Sequence, residues 1–184
     1  MKKIWMVILA FLLLIGGMGI SGYNGLVTMN EQVNGQWSQV ENQLQRRADL
    51  IPNLVNTVKG YTEHEEKTIQ AVADARAKLA GAQQPADMAE ANDQLTGALN
   101  RLLVIAERYP DLKANQNFQA LQDELAGTEN RIAVARRDYN MAVQNYNGQL
   151  RSFPTNIWAG IFGFSAKEYF KASAQAQQAP AVQF

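Results

Sequence analysis

RRADLIPNLVNTVKGYTEHEE, residues 46–66, sets a proline in the middle of a strongly helical run and follows it with a crowded polar cluster. How the chain passes Pro52 decides the fold. Val33, Trp37, Val40, Leu44, Ile51, Leu54, Val58 and Tyr61 recur three or four residues apart, with Arg47 in the one seam position that is not apolar. This is a heptad stripe. Its register survives Pro52, so the spacing predicts a helix that continues through the proline with a kink, although a proline in a regular interior costs roughly 3 kcal/mol. Asp49 offers the alternative of an N-cap that starts a separate short helix three residues earlier.

The polar cluster reads as punctuation. Gly60 suits a left-handed position after the helix end, and TEHE (62–65) has the form of a capping box, Thr62 and Glu65 serving the amides of the next helix. That helix carries Ile69, Val72, Arg76 and Leu79 and ends near Gly81. Asp87 and Glu90 repeat the capping arrangement before a third helix with Leu95, Leu99, Leu102, Ile105 and Tyr109, which Pro110 is expected to stop. The fourth has the longest stripe, Phe118, Leu121, Leu125, Thr128, Ile132, Ala135, Tyr139, Ala142, Tyr146 and Leu150. Helices over 23–59 and 115–150 would each be roughly 55 Å long, against roughly 30 Å for those over 63–80 and 88–109. Two long and two short helices imply an all-α fold, an up-and-down four-helix bundle. A first helix running unbroken past Gly60 is the alternative, disfavoured by that glycine and its capping box.

Ahead of the bundle, IWMVILAFLLLIGGMGI (4–20) carries no charge over 17 positions, close to the length needed to cross a hydrocarbon layer of about 30 Å. It reads as a single N-terminal transmembrane helix anchored in the lipid bilayer. A signal-peptide core stays open, without an A-x-A site or a lipobox cysteine to mark cleavage. Lys2 and Lys3 precede the run, whereas 21–45 contains neither Lys nor Arg. The positive-inside rule therefore leaves the N-terminus in the cytoplasm and the large domain outside. Gly17, Ser21 and Gly25 fit either close helix pairing, and with it a homo-oligomer, or a flexible hinge. Three segments follow: an anchor over 1–22, a helical bundle over 23–164, and a polar low-complexity tail over 165–184. Within this, TNIWAGIFGF (155–164) suits docking on the bundle or contact with the membrane interface.

Composition narrows function mainly by exclusion. Residues 23–184 hold 15 basic and 17 acidic groups, net −2, so no nucleic-acid footprint exists. Cysteine is absent and His64 is the one histidine, which removes disulfides, thiolate chemistry and multi-histidine metal sites. No nucleophile–base spacing, phosphate loop or metal motif occurs, so neither an enzymatic activity nor a cofactor is expected. Charged groups on the stripes are more informative. Arg47 interrupts the first and Glu129 and Arg136 lie beside the fourth, so a guanidinium–carboxylate pair between the long helices is expected, with Glu129 its leading acid.

The anchor followed by Tyr23 and Asn24, the segments WSQVENQLQRRADLIPNLVNTVKGYTEHE (37–65) and ERYPDLKANQNFQALQDELAGTENRIAVARRDYN (107–140), and then FP (153–154) and FGF (162–164) together resemble the LemA family of bacterial membrane-anchored helical proteins. The resemblance implies a four-helix up-and-down bundle, no enzymatic activity and a part in membrane organisation. The structural or partner-binding candidates are Arg47, Asp49, Pro52, Glu65, Tyr109, Pro110, Glu129, Arg136, Tyr139 and Asn140. The expected role is a cell-envelope scaffold or adaptor of the bacterial inner membrane that binds an unknown protein partner. A membrane-protease accessory subunit, or a peptide or ligand sensor near Arg47, are the alternatives.

Overall fold

The computed structural model describes residues 2–62 and 64–171. It is all-α: α1 (Lys2–Lys59), α2 (Glu66–Gly81), α3 (Pro85–Ala106), α4 (Pro110–Lys113), α5 (Gln116–Arg151) and α6 (Thr155–Phe162). The apolar N-terminal run and the first stripe belong to one helix of 58 residues that contains Pro52. The separate short helix after Asp49 does not form. Chain direction breaks at Gly60, so the first helix does not run past that glycine.

The chain forms two compact units, one of residues up to Trp37 with Asp138–Glu168, the other of Ser38–Arg137 with the described residues from Tyr169. α1 and α5 are far longer than α2 and α3, so each contributes to both.

In the second unit the stripe positions form the core. Val40, Leu44, Ile51, Leu54 and Val58 of α1 are buried, as are Ile69, Val72 and Leu79 of α2, Leu95, Leu99 and Leu102 of α3, and Phe118 and Ile132 of α5. Each such side chain stabilises the fold by about 1.5–3 kcal/mol relative to exposure. In the first unit Leu26 and Val33 of α1, Val143 and Tyr146 of α5 and Ala159 of α6 are buried.

The expected punctuation is corrected at four places. Gly60 is not left-handed: Gly163 is the one glycine with positive φ among the described residues. α1 ends instead through a tightened turn, with the amides of Gly60 and Tyr61 donating to the carbonyls of Thr57 and Val58. The Thr62 hydroxyl turns back to donate to the Val58 carbonyl at 3.1 Å, so it caps the helix behind it and no capping box forms. α3 starts at Pro85, three residues before the acidic pair's expected helix, because proline at the first helical position needs no amide partner. For the same reason Pro110 does not stop α3, which ends at Ala106, but opens α4.

Gly163, at φ +75°, closes α6 with the amides of Gly163 and Phe164 both donating to the Ala159 carbonyl, a reversal that a residue with a Cβ adopts poorly. Phe162 and Phe164, on either side of it, both reach Tyr23, with ring centroids 4.9 and 5.7 Å away. The FGF segment and Tyr23 thus form one aromatic cluster. Beyond it, 165–171 form neither helix nor strand, and Phe170 is buried. Of the expected tail over 165–184, the carbonyls of Lys167 and Glu168 and the Phe170 ring find partners on α5; 172–184 lie outside the described residues.

Candidate functional site

The second unit holds a polar seam where α1, α3 and α5 meet. Arg47 occupies the stripe position that the heptad would give to an apolar side chain, and its side chain is 4% exposed. Nη1 donates to Asn92 Oδ1 at 2.6 Å and lies 2.5 Å from Glu129 Oε2. The second contact is ionic rather than an aligned hydrogen bond. Arg47 Nε, Asn92 Nδ2 and Glu129 Oε2 are all buried without an aligned protein partner. Burial pulls the guanidinium below its usual pKa, and the charges of Glu129 and Asp93 oppose that shift. Glu129 is the wet side of the pair, 44% exposed.

A second network lies on the surface of α1 and α5. Arg46 Nη2 and Arg131 Nη2 both reach Glu124 Oε1, at 2.9 and 2.8 Å. The hydrogen bond from Arg46 holds this carboxyl below its ordinary pKa, aided by the charges of both arginines. At the α1–α2 contact, Arg76 Nε donates to the Ala48 carbonyl at 2.9 Å. That carbonyl would ordinarily receive the amide of residue 52, which proline lacks.

The remaining sequence candidates are dispersed. Asp49 is exposed and accepts from Gln45 Nε2 one turn back. Pro52 is exposed on α1. Glu65 immediately precedes α2 and pairs with Arg108 at 3.1 Å. Tyr109 and Pro110 form the start of α4. Arg136 lies over the Phe170 ring, 4.7 Å from its centroid, a cation–π contact.

In the first unit Tyr139 is buried, its ring 5.0 Å from Trp37, and its hydroxyl donates to the Glu168 carbonyl at 2.8 Å. Burial, with a smaller contribution from the Glu168 charge, pushes its pKa up. Asn140, next to it, is half-buried. Asn147, which sequence reasoning passed over, brackets the backbone of Lys167: Nδ2 donates to its carbonyl and Oδ1 accepts from its amide, both at 2.9 Å. Asn92 was missed as well. Both are single amides in helical runs, and only the tertiary partner distinguishes them from solvent-facing asparagines.

Of the ten candidates, the structure joins Arg47 to Glu129. Among the described residues no group of three or more His, Asp or Glu is placed to hold a metal ion. What the seam can do chemically is bind and orient: it offers ion pairs and amide hydrogen bonds, with no nucleophile–base pair.

The chain is 29% identical over 175 residues to magnetosome protein MamQ 2 of Paramagnetospirillum magneticum, covering 81% of this chain and 64% of that protein. It is 27% identical over 174 residues to magnetosome protein MamQ of Magnetospirillum gryphiswaldense, covering 80% and 64%. The chain thus spans less than two thirds of the length of these magnetosome relatives. Protein LemA of Metamycoplasma hominis is 27% identical over 173 residues, covering 90% of this chain and 78% of that one. A model of the LemA family matches residues 36–184. The chain is therefore a member of the LemA family, an all-α protein with a membrane-length helix at its N-terminus.

Proposed function

We propose that this protein is a membrane-anchored scaffold or adaptor of the bacterial cell envelope, acting through protein–protein contact or membrane organisation. The observation that carries the reading is α1. Its apolar segment exposes Ile4, Trp5, Val7, Leu9, Phe11, Leu12, Leu13 and Leu14 along the same unbroken helix that supplies the buried stripe from Leu26 to Val58. Side chains of that kind exposed over the length of a bilayer suit lipid. In this reading residues 4–20 cross the inner membrane, Lys2 and Lys3 hold the N-terminus in the cytoplasm, and the helical domain, an up-and-down four-helix arrangement, lies on the extracytoplasmic side.

Val104 and Val134 are exposed apolar side chains on α3 and α5, positions from which a neighbouring protein can be captured. Arg47 acts structurally here, fixing the register of α1 against α3 and α5. A photoreactive residue at Val104 or Val134, activated in native membranes and followed by mass spectrometry, should yield a discrete protein adduct, from a partner or a second copy. Adducts to lipid alone would count against the scaffold. A reporter active only outside the cytoplasm, fused after Phe184, tests the orientation, and activity of a cytoplasmic reporter alone would reverse it.

A further inference from the structure

α6 is apolar on both of its faces. One face packs inward: Thr155 and Ala159 are buried, Phe162 meets Tyr23, and the Trp158 ring lies so close to α1 that a Cβ on Gly19 or Gly22 would come within 3.2 Å of it. The other face presents Ile157 and Ile161, 50% and 64% exposed and one turn apart, continued by Phe153 at 81%. An outward row of this kind beside water is rare on a soluble surface.

Its height along α1 says what covers it. The uncharged run 4–20 rises only about 25 Å, so a hydrocarbon layer of about 30 Å reaches Gly22 and Tyr23 before it ends. Trp158 touches α1 at Gly19 and Gly22, and Phe162 at Tyr23. The short helix is therefore held level with the end of the lipid-facing run, and its outward row continues that run's apolar surface sideways. Trp158 and Tyr23 are the side chains enriched at that depth, and exposed Arg151, at the end of α5, can reach toward headgroups.

We propose that α6 lies in the plane of the membrane, with Phe153, Ile157 and Ile161 set into the acyl–headgroup boundary of the leaflet at the C-terminal end of the apolar run. This deepens the anchored reading and rests on it: the protein then meets lipid at a second, laterally displaced point as well as through its span.

The natural chain has no cysteine, so single-cysteine variants of the full-length protein report unambiguously. Ile157→Cys and Ile161→Cys would carry a nitroxide in vesicles of phosphatidylcholine and phosphatidylglycerol. Leu12→Cys serves as the lipid reference and Ala133→Cys, exposed on α5, as the aqueous one. All four positions are exposed, so the label displaces no core side chain. Collision with oxygen relative to a water-soluble nickel chelate should be severalfold higher at 157 and 161 than at 133, approaching the value at 12. Nickel access at 157 and 161 equal to that at 133 overturns the proposal, and shielding from both reagents does so too, by showing a protein surface over the row. With Leu12 in lipid, either result defeats only the placement of α6; nickel access at Leu12 itself would defeat the anchored reading and this inference with it.

Discussion

Arg76 Nε donates to the Ala48 carbonyl at 2.9 Å, the carbonyl that Pro52 leaves without its helical amide. A side chain of α2 thus repairs the ladder of α1, which is how a proline sits inside a long helix. Arg76→Ala should destabilise by about 1–3 kcal/mol, the range for losing a charged hydrogen bond to a part-buried acceptor. In a Pro52→Ala background the backbone restores its own donor, so the same substitution should cost clearly less. Chemical denaturation of the four variants measures the coupling, and an Arg76→Ala cost independent of residue 52 would remove the repair.

The Arg47–Glu129 pair is asymmetric, one partner dry and the other half wet. Glu129→Ala strands a buried guanidinium, whereas Arg47→Met strands a carboxylate that can hydrate. We expect Glu129→Ala to cost about 1–3 kcal/mol, below the roughly 3–5 of a fully buried broken pair because solvent screens the carboxylate. Arg47→Met should cost less, and the double variant less than the sum. Equal and additive costs in the denaturation midpoints would contradict the pair.

Much of this was legible before the structure. The stripes in α1 and α5 name most of the buried residues because a period near 3.5 constrains which side chains can face a core; Tyr61 is the exception, exposed because α1 ends at Lys59 before reaching it. Arg47 stood out for the same reason, as the one charged side chain in the seam of the first helix. The helix ends were not legible. Gly60 and TEHE have the composition of caps, but the Thr62 hydroxyl can serve the helix behind it as readily as the one ahead, and composition does not choose between them. Asn92 and Asn147 take their meaning from partners 45 and 20 residues away, which no local pattern encodes. Arg76 belonged to an apolar stripe by spacing, and its partner is a backbone atom.

Tyr139 makes stability fall on the alkaline side. Burial raises its folded pKa above the unfolded value, so the neutral phenol's contribution is fully present below about pH 10 and is lost as pH rises through the folded pKa. Tyr139→Phe should remove the hydrogen bond to the Glu168 carbonyl, costing about 0.5–1.5 kcal/mol at neutral pH. It should also flatten the loss of stability above about pH 10. Denaturation midpoints from neutral to strongly alkaline pH test this; an unchanged alkaline slope in the variant would contradict it.

Asn147 ties the non-helical segment after α6 to α5 by two hydrogen bonds to the Lys167 backbone. Asn147→Asp keeps the acceptor for the Lys167 amide but turns the donor facing its carbonyl into an oxygen. Hydrogen exchange at the Lys167 amide, and trypsin cleavage after Lys167, should both accelerate. Cleavage at the rate of the unsubstituted chain would show that the segment is held by other contacts.

The anchored scaffold is tested most directly by comparing photocrosslinked adducts from Val104 and Val134 in three chains: the natural one, one with residues 4–20 replaced by an unrelated apolar span of equal length, and one lacking 2–22. The account predicts that the natural and span-swapped chains resist alkaline extraction from the membrane and give the same protein adduct. The chain lacking 2–22 should unfold cooperatively as a soluble protein and lose that adduct. Full adduct yield from the folded soluble chain would contradict the claim that the span places this protein where it acts.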